Sequence, residues 1–320
     1  MPKCFYKTVI KPNFEIKNNM KILVTGATGL IGSELVKELL KENHVINYLT
    51  TSKDKIKNKK NYQGFYWNPS NNEIDSNCIT GVNAIIHLAG SSIAKRWTTS
   101  YKKEILQSRL QTTQLLYDVV KNYPNQVEQI ISASGTAIYP DSYKKIYIES
   151  APEIADTFLG NVVVQWEKAV DQFQDLNIKI AKIRTGVVYS SKGGALQEII
   201  KPIKLGVGAA FGSGKQQQTW IHLKDVANLY ELVLNNQYQG VFNAAAPEVL
   251  SNQELTQKIA KKLNKPLFLP NIPKWVMALI LGDMHQLLFD NKNIISKRAL
   301  ELQFKFQYPT IDAALNQILK

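Results

Sequence analysis

Three glycines set three apart, Gly26-x-x-Gly29-x-x-Gly32, stand in the stretch KILVTGATGLIGSEL at 21–35. Apolar residues 22–24 read as a buried strand. Leu30, Ile31, Leu35, Val36, Leu39 and Leu40 then repeat at helical spacing. Glycines between a strand and a helix allow a tight turn, close approach of backbone to a ligand, and close helix–strand packing. The free N–H groups of the helix start carry partial positive charge and face outward, which suits a diphosphate. Gly26, Thr28, Gly29, Leu30, Ile31 and Gly32 are therefore candidate contacts of a dinucleotide. The alternative is a ligand-free βα turn, and the strand-then-helix context argues against it.

The residues at the end of the second strand choose between nicotinamide cofactors. An acidic side chain there would bond the adenosine ribose of NAD. This chain reads Leu49-Thr50-Thr51-Ser52-Lys53, and no acid occurs between Glu42 and Asp54. Hydroxyls on Thr50 and Thr51 with a nearby cation suit the 2′-phosphate of NADP better. Lys53 cannot make the two-pronged contact of an arginine. A merely solvated polar loop is the competing reading.

Strands and helices must alternate to carry these residues. Val45–Thr50, Gly64–Trp67, Val82–Leu88, Val127–Ser134 and Ile178–Val188 read as further strands, with helices over 99–122 and 157–175 between them. The run VNAIIHL is apolar throughout, as for a parallel strand covered on both faces. The expected class is α/β, a doubly wound parallel sheet of Rossmann type. After Val188 glycines crowd the chain, and helices are expected at 223–235, 251–263, 273–288 and 294–302, with a return to the sheet near 240–243. The chain thus divides into an extension (1–19), a dinucleotide-binding domain (20–245, with 189–219 contributing to a substrate lobe) and a small, mainly helical C-terminal domain (246–320). Ligands lie outside the carboxyl ends of such strands, and two lobes meeting there make a cleft. That edge holds Gly26–Gly32, Thr50–Lys53, Leu88–Arg96, Ser132–Tyr139 and Thr185–Ser190.

The bulk composition narrows the partners. The formal charge of +13 comes almost wholly from lysine, since arginine occurs only at 96, 109, 184 and 298. The densest basic run, Lys53–Lys60, lacks interleaved aromatics, so nucleic acid is not an expected partner. Cys4 and Cys78 make no disulfide framework, and His44, His87, His222 and His285 form no metal-binding spacing. No apolar run is long enough to span a bilayer. Residues 1–19 fit neither a signal nor a transit peptide. A cytoplasmic protein with a small-molecule substrate, no metal and no membrane partner is expected, with a homodimer as one form.

TGATGLIG, HLAG at 87–90, RTGVVY at 184–189 and WIHLKDVA at 220–227 together resemble an extended short-chain dehydrogenase/reductase. SSIAKRWT (91–98), ILQSRLQTT (105–113), KGGAL (192–196), GSGKQQQTWIH (212–222), LGDM (281–284), SKRAL (296–300) and FKFQYP (304–309) resemble one atypical branch of it. That branch is labelled epimerase family protein or NADP-dependent oxidoreductase, with a cell-division label in plastid and cyanobacterial relatives. The resemblance covers residues 20–320. It implies bound NADP contacted by the glycine turn, the end of the second strand, Leu88, Ala89, Glu104 and Arg109. The chain departs from the branch at Thr51, where the branch often has Arg, at Ser91-Ser92 for Glu-Pro, and at Tyr139-Pro140 for Tyr-Gly.

The superfamily's usual chemistry uses a Ser, a Tyr and a Lys four residues on, the phenol exchanging a proton while hydride moves at carbon. The helix that should carry Tyr and Lys contains no Tyr. Anchored on Glu167, the two positions hold Leu159 and Val163. A literal Tyr-x-x-x-Lys, Tyr117–Lys121, lies on the wrong helix and reads as packing. Ser134 (or Ser132) keeps the serine position, although a strand-end hydroxyl bonded to backbone or cofactor is the plainer reading. Tyr139, the other tyrosines of 139–147, Lys95, Arg96 and His222 are substitutes, with His222 better suited to orienting a loop between the lobes. Ser134 and Tyr139 are the weak catalytic candidates. Two functions follow: an NADP-binding oxidoreductase or epimerase on an unidentified small molecule, or a non-catalytic NADP-bound regulator.

Overall fold

A computed structural model describes residues 19–320; the expected extension, Asn19 apart, lies outside the described residues. The apolar run after Met20 forms β1 (Lys21–Thr25), and the glycine turn leads directly into α1 (Leu30–Lys41). There follow β2 (Val45–Thr50), β3 (Tyr62–Asn68), β4 (Ala84–His87), α2 (Thr99–Asn122), β5 (Gln129–Gly135), α3 (Phe158–Asp171), β6 (Lys179–Thr185), α4 (Ala195–Lys204), α5 (Leu223–Asn235) and β7 (Gly240–Ala244). The strands line up in the order β7-β6-β5-β4-β1-β2-β3. Every neighbouring pair is parallel. The order reverses beside β1, so the glycine turn opens at the switch point of the doubly wound sheet, where ligands bind.

Alternation within the strands divides the core. Ile22 and Val24 of β1 face α1 and α5, packing with Leu35, Leu39, Val226 and Tyr230. Leu23 points the other way, with Ile85 and Ile130, against Leu116 of α2 and Val170 of α3. A two-residue period on strands covered by helices on both faces yields this two-sided burial.

The structure differs from the sequence reading where the sheet hands over to the C-terminal lobe. The expected strand Ile178–Val188 is two strands. At Gly186 the chain leaves the sheet, and Val187–Tyr189 pairs in parallel with Trp220–His222 instead. Gly186 lies so close to Thr219 that a Cβ would sit 2.9 Å from its carbonyl oxygen. The lobe continues with α6 (Asn252–Lys262), α7 (Lys274–Leu281), α8 (Gln286–Phe289), α9 (Lys297–Glu301) and α10 (Ile311–Ile318). The expected helix 273–288 is thus broken after Leu281. The expected helix 294–302 is only α9, because Asn293–Ile294 pairs with Ile146–Tyr147. The lobe has its own core, in which Leu196 and Ile200 of α4, Leu255 and Ile259 of α6, and Leu315 of α10 surround Trp220.

Candidate functional site

The glycine turn is shaped by contacts that exclude side chains. Gly26 has φ +69°, and a Cβ there would lie 3.0 Å from the Leu88 carbonyl carbon and 3.2 Å from the Ala89 nitrogen. A Cβ on Gly32 would lie 2.1 Å from the Gly26 carbonyl oxygen, so α1 starts flush against the turn. Gly29 is the N-cap of α1, and no side chain caps it. The amides of the first turn, at Leu30, Ile31 and Gly32, lack acceptors one turn back within the helix. Thr28 and Gly29 are exposed beside them. This is an anion cradle built from backbone.

A hydrogen-bond chain holds the cradle to its neighbours. Thr25 Oγ1 accepts from the amides of Leu88 and Ala89, each at 3.1 Å, and lies 2.8 Å from His87 Nδ1. With two bonds accepted, the Thr25 proton goes to Nδ1, so Nε2 carries the ring proton and donates to Thr113 Oγ1 at 3.1 Å. Thr113 in turn donates to the Arg109 carbonyl at 2.7 Å. Burial, with the Arg109 charge added, pushes the His87 pKa down to about 3, so the ring is neutral. The chain runs from β1 through β4 to α2.

Arg109 stands at the end of that chain. Its Nη1 donates to the carbonyls of Ile105 (2.8 Å) and Ser91 (3.2 Å), and the guanidinium lies 5.0 Å from the Trp166 ring centroid. Burial lowers its pKa to about 10. Among the described residues no carboxylate pairs with it. Glu104 accepts instead from Ser91 Oγ at 2.9 Å. A half-buried cation lacking a carboxylate partner, beside Gly90 at the end of β4, suits a phosphate or ribose oxygen.

At the end of β2, Thr50 Oγ1 accepts from Ser52 N at 3.2 Å, and Thr51 is exposed. Tyr48 donates to the Lys55 carbonyl and accepts from Lys57 N, both at 2.7 Å, folding the following loop back onto the strand. Lys53 lies 5.0 Å over the Tyr66 ring.

Ser134 and Tyr139 belong to a buried polar network rather than to the cradle. Ser134 donates to Glu167 Oε1 at 2.5 Å. Arg184 clamps both oxygens of Glu167, at 2.8 and 2.9 Å, and donates to the Tyr139 hydroxyl at 3.0 Å. That hydroxyl donates to Asn243 Oδ1 at 2.8 Å. Tyr139 is 0% exposed and Ser134 6%. Burial alone would raise the Glu167 pKa, but Arg184 and Ser134 outweigh it and hold the carboxyl below its usual range. For Tyr139 burial prevails, and the phenol is raised. The sequence reading did not place Glu167 and Arg184 at the site. Any signal is faint, since each stands among other charged residues, Glu167 with Lys168 and Asp171 on α3 and Arg184 with Lys179 and Lys182 on β6.

The remaining substitutes scatter. Ser132 is buried and donates to the Ala133 carbonyl at 2.9 Å. His222 caps α5 by accepting from Lys224 N at 3.2 Å, lies 3.0 Å from Gln317 Oε1, and packs on Tyr308 with centroids 3.8 Å apart. Arg96 packs beside Gly282 of the C-terminal lobe, and Lys95 lies 5.4 Å over the Tyr101 ring. Tyr117 packs edge-on against Phe173. Leu159 is buried with Trp97, Ile105 and Val162, and Val163 with Ile138, Tyr139 and Tyr147. Two cavities, of about 560 and 310 Å³, lie beside α3, the first around Ile154, Thr157 and Val164 and the second reaching Glu167 and Arg184, and no residue of the glycine turn lines either. The candidate site at the glycine turn therefore rests on backbone geometry, not on cavity size. Among the described residues no group of histidines, cysteines or carboxylates could hold a metal ion.

Comparison with known proteins agrees with this geometry. The profile of the NAD dependent epimerase/dehydratase family matches residues 22–245, and a domain of unknown function, DUF1731, matches 272–318. The chloroplastic epimerase family protein SDR39U1 homolog of Arabidopsis thaliana is 34% identical over 310 residues, 95% of this chain and 88% of that protein. Epimerase family protein SA0724 of Staphylococcus aureus is 33% identical, over 93% of this chain and 98% of its own length. The crystal structure of human epimerase family protein SDR39U1 with NADPH superposes with a TM-score of 0.81 at 29% identity, covering 93% of this chain and 99% of that one. UDP-glucuronic acid 4-epimerase from Bacillus cereus, solved with NAD, shares the fold at 20% identity, with a TM-score of 0.71 over 92% of this chain and 93% of that one. A cradle of backbone amides at the switch point, in a chain so matched along its length, makes this protein a member of the NAD dependent epimerase/dehydratase family.

Proposed function

We propose that this protein binds NADP at the glycine turn and acts as an oxidoreductase or epimerase on a small carbonyl or alcohol compound at the carboxyl edge of the sheet. The observation that carries the reading is the uncapped start of α1, pressed against a turn where Gly26 and Gly32 leave no room for a Cβ. The diphosphate would accept from the amides of Leu30, Ile31 and Gly32, with Thr28 at its edge. Leu88 and Ala89 would border the nucleotide, and Arg109, with Glu104 nearby, would approach its ribose and phosphate oxygens. Thr50 and Thr51 at the end of β2, with Lys53 nearby and no acid, favour a 2′-phosphate over a bare ribose. A bound nicotinamide supplies or accepts hydride.

The proton that accompanies hydride has no evident carrier in the usual place. Leu159 and Val163 are buried and apolar. Ser134 gives its proton to Glu167 and Tyr139 gives its own to Asn243. We read both as positioning residues that fix the ends of β5 and β6. The same apolar pair favours a second reading, a regulator that holds NADP without turning it over.

Fluorescence titration tests the first claim: NADPH is expected to bind more tightly than NADH, and tighter NADH binding overturns the cofactor assignment. Stereospecifically deuterated NADPH separates the two functions. Exchange of the label during incubation with a panel of carbonyl compounds identifies an enzyme. Tight binding without exchange identifies the regulator.

A further inference from the structure

Leu159 occupies the position at which the superfamily places its proton-exchanging tyrosine, so its neighbours surround the reacting end of a substrate. Leu159 is buried with Trp97, from the segment between β4 and α2. Ile93, Phe158, Met284 and Leu287 pack against this pair and are only half-buried. Trp97 meets Phe158 edge-on, with ring centroids 5.4 Å apart. Ile93 and Trp97 follow β4, and Phe158 opens α3, all at the carboxyl edge of the sheet. Met284 and Leu287 come from the C-terminal lobe. The two lobes therefore meet over Leu159 through hydrocarbon.

The polar atoms of this cluster are already spent. Trp97 Nε1 donates to the Ile93 carbonyl at 2.9 Å, and the Tyr101 hydroxyl donates to the Ser92 carbonyl at 2.5 Å. Charge stays at the rim. Lys102 pairs with Asp283 of the lobe at 2.5 Å, Lys95 lies 5.4 Å over the Tyr101 ring, and Arg96 packs beside Gly282. A ligand hydroxyl set among these hydrocarbon side chains would give up its bonds to water and gain none. A sugar brings several such hydroxyls. An aryl or alkyl chain brings none, and it would cover the open sides of Ile93, Phe158, Met284 and Leu287. Phe158 also lines the cavity of about 560 Å³, so the cluster borders open volume. The charged residue lining that cavity is Asp156, which would oppose the diphosphate of a sugar nucleotide.

We propose that the substrate is an apolar carbonyl or alcohol compound, its reacting group at Leu159 and its aryl or alkyl body against Trp97, Phe158, Met284 and Leu287. Met284 and Leu287 are then specificity-determining residues supplied by the C-terminal lobe. This deepens the oxidoreductase or epimerase reading, and rests on it for the place of the nicotinamide.

Calorimetric titration with benzylacetone, an aryl alkyl ketone, tests it, with UDP-glucose as the hydroxylated counterpart. The full chain is saturated with oxidised NADP, which has no hydride to give the ketone, so the heat reports binding alone. Benzylacetone is expected to bind more tightly than UDP-glucose. Met284→Gln and Leu287→Gln nearly keep the side-chain volume but bring an amide into the cluster, and each should lower benzylacetone affinity about tenfold. Unchanged NADPH affinity in both variants checks that the fold is intact. Equal or tighter binding of UDP-glucose overturns the proposal, as does the absence of benzylacetone binding or parental affinity in both variants. Should NADPH itself fail to bind, the cofactor reading falls, and the same titration without nucleotide still decides whether the cluster holds the ketone.

Discussion

Arg109 and Glu167 are both charged and half-buried or buried, yet their surroundings give them opposite roles. Arg109 has carbonyls and an aromatic face but no carboxylate, so it is free to meet a ligand anion. Arg109→Met should remove a charge-assisted hydrogen bond worth about 1.5–3 kcal/mol, a loss of roughly tenfold to a hundredfold in NADPH affinity by titration. Unchanged affinity would place the guanidinium outside the cofactor site. Glu167 is spent on Arg184 and Ser134. Glu167→Gln should cost about 3–5 kcal/mol in denaturant unfolding, because Arg184 stays buried without a counter-charge. The depressed Glu167 pKa also sets a sign: its stabilisation is complete above the ordinary glutamate value and is lost as pH falls through the folded value. The glycine turn was legible in the sequence because strand, turn and helix are contiguous. The Glu167 network was not, since its members are 17 and 33 residues apart and no period links them.

Elements repeat that contrast. α2 and α5 were readable to the residue from helical spacing and bounding polar residues, since nothing inside either run interrupts it. The division of Lys179–Thr185 from Val187–Tyr189 was hidden, since strand-forming residues continue on both sides of Gly186 and the close passage of Thr219, distant in sequence, marks where the chain turns. α10 escaped the reading although it carries a signal, a Thr310 cap followed by apolar residues at 311, 314, 315 and 318. Where α1 and α5 end side by side, the carboxyls of Glu42 and Glu231 lie against one another. Burial and the neighbouring Glu42 raise the Glu231 pKa to about 8. A raised carboxyl contributes its stability below its unfolded value of 4.5 and loses it as pH climbs through 8. Glu231→Gln should therefore flatten the thermal stability profile between pH 4.5 and 8 and raise the melting temperature at pH 8. A variant that melts like the parent at every pH would show the two acids do not act on one another.

On the scale of the molecule, a single buried carboxylate joins the last strap of chain to the sheet's helical layer. Asp225 on α5 accepts from the amides of Gln307 and Tyr308, at 2.7 and 3.0 Å. Asp225→Ala leaves two donors without their acceptor and should cost about 1–3 kcal/mol for each group left unsatisfied. Limited proteolysis after residue 300 should quicken in the variant, and equal digestion of both proteins would mean the strap is held by packing alone. The two-lobed plan was evident beforehand from the change of rhythm after Val188. How the lobes are fastened was not, since the bonds from Asp225 reach across 82 and 83 residues.

The latch through Thr25, His87 and Thr113 has a consequence for acidity. Its imidazole takes up a proton only near pH 3, and the guanidinium beside it releases one only near pH 10. Between pH 5 and 9 the latch and Arg109 keep fixed charges, so dinucleotide affinity should hold level on their account. A titration step inside that window would come from other groups, such as the Glu231 carboxyl, or from the ligand itself.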